Sequence, residues 1–298
     1  MFGLNRPTDR SRRTHGARAV VTGAGSGIGR AFACEIAARG GRVVCADRDE
    51  QRADDTVALI ERTYPGVAYA FRCDVTRHED VAALARFADT LFDRPVDLVI
   101  NNAGVGIGGK PVGRIGFDDW QWALDTNLWG VVHGCEIFAP RLRKAGRGGI
   151  INVSSAAGFA AAPTMAAYNV SKAGVLSLSE TMSAELNGTG VAVTVLCPTF
   201  VQTNVARDGR ITAESAQVAD FLMRRSSHSP ARIARTALDA HDRGQLYVVP
   251  QLDARAIWLL KRSFPAGYTF VLGLLKRLLP QNDSNTVDRP AVTDPTGV

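Results

Sequence analysis

"ARAVVTGAGSGIGR", residues 17 to 30, carries the reading of the fold. A short apolar run ends at Thr22, and glycines follow at 23, 25, 27 and 29. An unbroken apolar run suits a strand buried on both faces, while glycines let the chain turn tightly and approach a ligand closely. A helix starting near Gly27 would aim its first N–H groups, which have no partner within the helix, at an anion such as a pyrophosphate. The spacing is GxxxGxG and not the GxGxxG of the dinucleotide fingerprint, so by itself the turn reads equally as a plain loop. Its place between a buried strand and a helix is what favours phosphate binding.

The same pattern repeats along the chain. Apolar runs stand at 17–23, 42–47, 67–73, 96–104, 148–155, 191–197 and 245–250, most of them separated by segments long enough for a helix of three turns. Alternating buried strands and helices predict an α/β fold, a doubly wound seven-stranded parallel sheet with helices on both faces. The seven runs make one domain from 17 to 250, and 46% hydrophobic content is ample for its core. The rhythm breaks at 199–230, a polar, helix-prone stretch suited to a lid or substrate loop.

Charge narrows the function classes. Residues 1–18 hold five arginines against one aspartate, and residues 253–280 five basic groups against one acidic. Residues 19–252 carry 24 of each sign, so the formal +6 belongs to the ends and not to the folded body. A nucleic-acid module would concentrate positive charge on the module itself, so no nucleic-acid partner is expected. Five scattered cysteines without a close pair read as buried free thiols of a reducing, cytoplasmic compartment. The five histidines are far apart and form no metal-spaced cluster, and His133 and His228 read as structural.

The ends are read separately. Residues 1–16 have no apolar segment of a secretory signal and suit a flexible basic leader. Residues 251–280 hold two apolar segments around a Pro-Ala-Gly break, each ending in Lys-Arg, the pattern of paired amphipathic helices. They either pack on protein or make peripheral membrane contact through 253–280, since no stretch reaches the roughly 20 apolar residues of a membrane span. Residues 281–298, rich in Asp, Asn, Thr and Pro, suit a disordered tail.

Within the domain, "AAYNVSKAG" (166–174) places Tyr168 and Lys172 four residues apart, on one face if the stretch is helical. A cation beside a phenol lowers its pKa from about 10 by roughly 1 to 3 units, which would let Tyr168 exchange protons with a substrate hydroxyl. A solvated pair beside a core tyrosine explains the spacing equally well. Asp47 ends the second run, where a carboxylate accepts ribose hydroxyls and repels a 2′-phosphate, favouring NAD over NADP. Arg48 would soften that preference, and Asp47 is alternatively the cap of the next helix.

Taken together, the glycine turn from Thr22 to Gly29, "CDV" at 73–75, "NNAG" at 101–104, Asn127, "NVSS" ending at Ser155, and Tyr168 with Lys172 resemble the classical short-chain dehydrogenases/reductases over residues 17–250. Ser155 lies thirteen residues before Tyr168, as in that family. The resemblance implies a Rossmann-like fold and a catalytic set of Ser155, Tyr168, Lys172 and Asn127. Tyr168 would be the acid/base on the substrate oxygen and Ser155 its hydrogen-bonding partner. Lys172 would bind the nicotinamide ribose and lower the tyrosine pKa, and Asn127 would help hold a proton-relaying water. It also implies that the dinucleotide meets Gly23, Ser26, Gly27, Ile28, Gly29, Asp47, Arg48, Asp74, Val75, Asn101, Ala103, Gly104, Pro198, Val201 and Thr203, besides Tyr168 and Lys172.

One departure stands out: "CPTFVQTN" places Thr199 where the family has glycine, which puts the local backbone in question because threonine avoids positive φ. The segments 104–114, 156–164 and 199–230 would set specificity. The first two are small and apolar, with Lys110 and Arg114 the fixed charges, so a hydrophobic alcohol or ketone is expected. The expectation is an NAD(H)-dependent oxidoreductase, a homodimer or homotetramer as that family generally is. The alternatives are an NADP(H)-dependent carbonyl reductase of lipid or sterol-like compounds at a membrane surface, and a dinucleotide sensor without turnover.

Overall fold

The structure, a computed structural model, describes residues 12–203, 208–226 and 228–278. Each of the seven apolar runs contains a strand: β1 (Arg18–Thr22), β2 (Arg42–Asp47), β3 (Ala68–Arg72), β4 (Leu98–Asn101), β6 (Gly148–Val153), β7 (Val191–Leu196) and β9 (Tyr247–Val248). A separate two-residue pair, β5 (Ile107–Gly108) with β8 (Arg210–Ile211), is too short to leave a pattern in the sequence. The helices are α1 (Gly27–Ala38), α2 (Glu50–Glu61), α3 (His78–Leu91), α4 (Phe117–Leu124), α5 (Gly130–Ala145), α6 (Ala157–Ala160), α7 (Ala166–Glu185), α8 (Ala213–Arg225), α9 (Pro230–Asp242), α10 (Leu252–Ser263) and α11 (Pro265–Leu278). A π-helical segment, Asp125–Trp129, joins α4 to α5.

The sheet runs β3-β2-β1-β4-β6-β7-β9, all parallel. Side chains alternate across it as the pleat requires. Ala19 and Val21 of β1 join Phe32 and Ile36 of α1 in one layer, with residues of α2 and α9. Val20 joins Leu84 of α3, Phe138 of α5 and Val175 of α7 in the other. Burial on both faces is why the strands read as unbroken apolar runs. The chain leaves β1 toward β2 and β3 but returns to add β4 on the other side, so the order reverses between β1 and β4. In an open parallel sheet the crevice beyond the strand ends at such a reversal is the ligand site. The glycine turn follows β1 and the Asn101–Gly104 loop follows β4, so both lie there.

The first part of the leader and the tail 281–298 lie outside the described residues. The stretch expected as a lid holds β8 and α8, and α10 and α11 form the expected pair of helices after the domain. Among the described residues no helix is long and apolar enough to cross a membrane.

Candidate active site

The glycine turn is built by close approach. Gly23 and Gly27 have φ of 63° and 52°, a region where an L side chain is strained. A Cβ on Gly29 would run into the Gly23 carbonyl, and one on Gly25 would stand 2.7 Å from Asp47 Oδ2. Asn102 donates to the Thr22 and Gly23 carbonyls (2.9 and 3.2 Å), while Thr22 Oγ1 accepts the Asn102 and Ala103 amides (3.0 and 3.1 Å). Arg30 and Thr56 brace the other side through the Gly25 and Ala24 carbonyls. Ser26 is the N-cap of α1 and its hydroxyl makes no capping bond; Ile28 is half-buried behind it. Asp47 is not the cap of α2, because Asp49 accepts the Arg52 amide there. Its carboxylate instead receives the Gly25 and Asp49 amides (2.8 and 3.0 Å), fixed at the mouth of the turn, with Arg48 exposed beside it.

The other expected contacts are spread around the same crevice. Asp74 is occupied with the Thr76 amide and hydroxyl, and Val75 is buried against Gly130. The Asn101 side chain points into the core, donating to Asn152 Oδ1 (2.9 Å), so only its backbone faces the loop. Pro198 and Val201 are buried, and Thr203 reaches back to within 3.0 Å of where a Gly27 Cβ would stand. Thr199 resolves the departure from the family pattern: positive φ among non-glycine described residues occurs at Ala161 and Thr164, not at Thr199. The Thr199 amide donates to Gln251 Oε1 (3.2 Å), so threonine is accommodated without strain.

Tyr168 and Lys172 share a face of α7 as their spacing predicts. The Lys172 ammonium lies 5.9 Å from the Tyr168 ring centroid, 4% exposed, donating to the Val153 carbonyl (3.0 Å). Ser154 faces away from the crevice and ties α7 to β6 through the Lys172 carbonyl (2.7 Å). Ser155 Oγ donates to the Pro198 carbonyl (3.3 Å) and accepts the Ala157 amide (3.1 Å), near enough to the Tyr168 phenol to draw its pKa down. A Cβ on Gly104 would stand 3.1 Å from Asn127 Oδ1 and 3.3 Å from Lys172 Nζ, so glycine leaves the space beside the lysine open.

Two details depart from the expected roles. Burial pushes the Tyr168 phenol above its ordinary pKa, opposed by Ser155. Lys172 is itself pulled down to about 8 by burial, against a smaller upward pull from Cys197, so its own charge is costly. The Asn127 amide is engaged by Val105, accepting its N–H (2.7 Å) and donating to its carbonyl (3.0 Å), and also donates to Ser171 (3.2 Å). Its side chain thereby fixes the Gly104–Val105 loop beside Lys172, from within a π-helical turn of the kind common at functional sites.

The side of Tyr168 away from the turn is apolar. Tyr168 packs with Ile107, Ala123, Ala167, Ile115, Trp120 and Trp122. Lys110 is paired with Asp119 (3.1 Å), which also takes Arg210 of β8 (3.0 Å), while Arg114 is exposed. These charges bind one another and hold the lid strand. The loop beyond Ser155 is held from behind: Trp258 of α10 stacks near Phe159 (6.1 Å), and Tyr268 of α11 donates to the Ala160 carbonyl (2.9 Å). Sequence reasoning missed Asn102, Gln251, Trp258 and Tyr268. Asn102 sits inside the quoted "NNAG" and was within reach; the other three act across long sequence separations.

Residues 17–213 match the family described as short chain dehydrogenase. EphD of Mycobacterium tuberculosis is 34% identical over 256 residues, 82% of this chain but 43% of its own length, so the chain spans less than half of that relative. The 1-deoxy-11-beta-hydroxypentalenate dehydrogenase of Streptomyces exfoliatus is 35% identical over 80% of this chain and 84% of its own. Among solved structures, a short-chain dehydrogenase/reductase from Burkholderia phymatum in complex with NAD has a TM-score of 0.79 and 32% identity, covering 84% of this chain and 94% of its own. A short-chain dehydrogenase from Sphingobium yanoikuyae in complex with NADPH has a TM-score of 0.70 and 27% identity, covering 91% and 98%. Turn, crevice and relatives agree, and the chain belongs to the short-chain dehydrogenase/reductase family.

Proposed function

We propose that the chain is an NAD(H)-dependent oxidoreductase interconverting a hydrophobic secondary alcohol and its carbonyl counterpart. The observation that carries this is the meeting of Ser155, Tyr168 and Lys172 at the strand-order reversal, next to a glycine turn on one side and apolar walls on the other. The cradle suits a dinucleotide: a turn with no side chains to obstruct it, an unengaged N-cap hydroxyl at Ser26, and an open space at Gly104 beside the buried amine. Gly23, Ser26, Gly27, Ile28 and Gly29 would hold the pyrophosphate, and Asp74, Val75 and the Asn101–Gly104 backbone would line the adenosine and ribose side. Pro198, Val201, Thr203 and Lys172 would hold the nicotinamide end. Bound there, the nicotinamide supplies hydride transfer at the substrate carbon.

The protein's own part is placement and proton traffic. Ser155 donates a hydrogen bond to the substrate oxygen, and Tyr168 exchanges its proton with that oxygen. Because burial keeps the phenol protonated, the site by itself is poised to donate, which suits reduction. Oxidation needs the phenolate and therefore gains as pH rises. Asp47, held by two amides at the turn, supports NAD over NADP, since it would meet a 2′-phosphate with like charge. The groove between α5 and α7, lined by Val132, Ala139 and Leu178 together with the charged Glu136, Lys144 and Glu185, offers a face for assembly into a homodimer or homotetramer.

The test is nicotinamide absorbance while the protein is given NAD and a series of secondary alcohols graded from short aliphatic to sterol-sized. Reduction should rise with the apolar size of the alcohol. A response that falls with size would overturn the apolar substrate class. Silence across the series, with NADH still binding, would leave a substrate outside the series or a dinucleotide sensor.

A further inference from the structure

The inner face of the α10–α11 pair is accounted for by Trp258 and Tyr268; the outer face is not. Phe270, Val271, Leu274 and Leu275 of α11 recur at three- and four-residue spacing, Phe264 stands at the joint before them, and all five are between 48% and 74% exposed. Tyr268, one turn before Val271 on the same helix, is buried at 8%. An amphipathic helix normally turns its apolar stripe to the protein; here the stripe faces outward while a tyrosine makes the inward contact.

Charge chooses the occupant. Residues 254–282 contain five basic groups and no acidic one. Lys261 and Arg262 lie at the end of α10 over the rings of Tyr268 and Trp258 (6.0 and 5.3 Å), with Arg262 exposed, and Arg277 is exposed at the far end of the stripe. Two copies of this face brought together would set like charges against each other. An anionic lipid surface satisfies both halves of the pattern: apolar side chains enter the acyl boundary and the flanking cations meet headgroups. At 14 residues α11 is about 21 Å long, short of the roughly 30 Å hydrocarbon core, which fits lying in the interface rather than crossing it.

We propose that the outer stripe of α11, with the cationic end of α10, docks this protein on an anionic bilayer surface. The inner contacts then connect the docked helix to the active site. Tyr268 grips Ala160 and Trp258 meets Phe159, both on the short helix that follows Ser155, so the apolar side of the cleft is held next to the lipid. This deepens the proposed reading by giving an apolar substrate a source, while the docking itself does not depend on any reaction.

The test is flotation of the full chain with vesicles of phosphatidylcholine alone and of phosphatidylcholine mixed with phosphatidylglycerol, at low and high salt. The protein should float with the anionic vesicles, less with the neutral ones, and less again as salt rises. Phe270→Ser combined with Leu274→Ser, and separately Arg277→Glu, should each weaken partition by about tenfold or more. Thermal melting and turnover of a small water-miscible alcohol should be unchanged in both, which separates lost docking from lost folding or lost catalysis. Absence of flotation, or equal flotation with both vesicle types at all salt concentrations, would overturn the proposal. So would a concentration-dependent association without lipid that Phe270→Ser with Leu274→Ser abolishes, because the stripe would then be covered by protein.

Discussion

The two sides of Tyr168 are built by different means. Toward the dinucleotide side the chain is held by close main-chain approach: glycines at 23, 25 and 29 leave no room for a Cβ, and Asn102 and Asp47 bond to the turn. Toward the substrate side it is held by side chains from distant segments, Trp258 on Phe159 and Tyr268 on Ala160, over a loop with left-handed residues at Ala161 and Thr164. The first arrangement leaves no room for an added side chain, and the second rests on side-chain contacts.

The contrast predicts a descending series of effects. Gly29→Ala should be the most damaging, since its Cβ meets the Gly23 carbonyl: we expect dinucleotide affinity lower by about 100-fold and stability lower by roughly 3 kcal/mol, read by NADH fluorescence titration and thermal melting. A mild effect there would show that the turn is not the rigid half.

Lys172→Met should split function from stability. Its pKa falls from 10.5 to about 8 on burial, which costs the fold about 3 kcal/mol at neutral pH. Below pH 8 native and unfolded lysine are both protonated and the whole cost is present. Between 8 and 10.5 the native lysine loses its proton while the unfolded one keeps it, so wild-type stability climbs with pH. The variant should therefore be the more stable protein at pH 7, lose that advantage by alkaline pH in denaturant titrations, and turn over poorly throughout.

Asp47→Ser should narrow the gap between NADH and NADPH affinities, expected at about tenfold or more in the wild type. Equal wild-type affinities would show that Arg48 overrides the carboxylate. Tyr268→Phe is the mildest: one hydrogen bond to Ala160 is worth about 1 kcal/mol, so KM for an apolar alcohol should rise several-fold while NADH affinity stays put. A change in NADH affinity instead would join the two halves that the structure separates.

The same division governs what could be read in advance. The seven strands and the glycine turn were legible because burial on both faces and the need for absent side chains each leave a local trace, as in "ARAVVTG" and "TGAGSGIG". The pairing of β5 with β8 was not, since two residues carry no period. Thr199 raised doubt that only its negative φ and the distant Gln251 removed. The position of Lys172 on the face of Tyr168 followed from spacing, but the phenol's upward shift depends on how deeply the fold buries it, which no spacing encodes. The apolar runs of 251–280 announced two helices, yet which face meets protein depends on Tyr268 finding Ala160, 108 residues earlier.

The most direct test compares Tyr168→Phe with the wild type in one experiment, measuring NADH affinity and turnover of the best apolar alcohol across a pH series. The account predicts unchanged NADH affinity, turnover lower by about 10³-fold, and wild-type oxidation that accelerates with pH as the phenol ionises, a rise missing from the variant. Retained turnover, or the same pH rise in both proteins, would remove Tyr168 from the proton transfer and contradict the assignment.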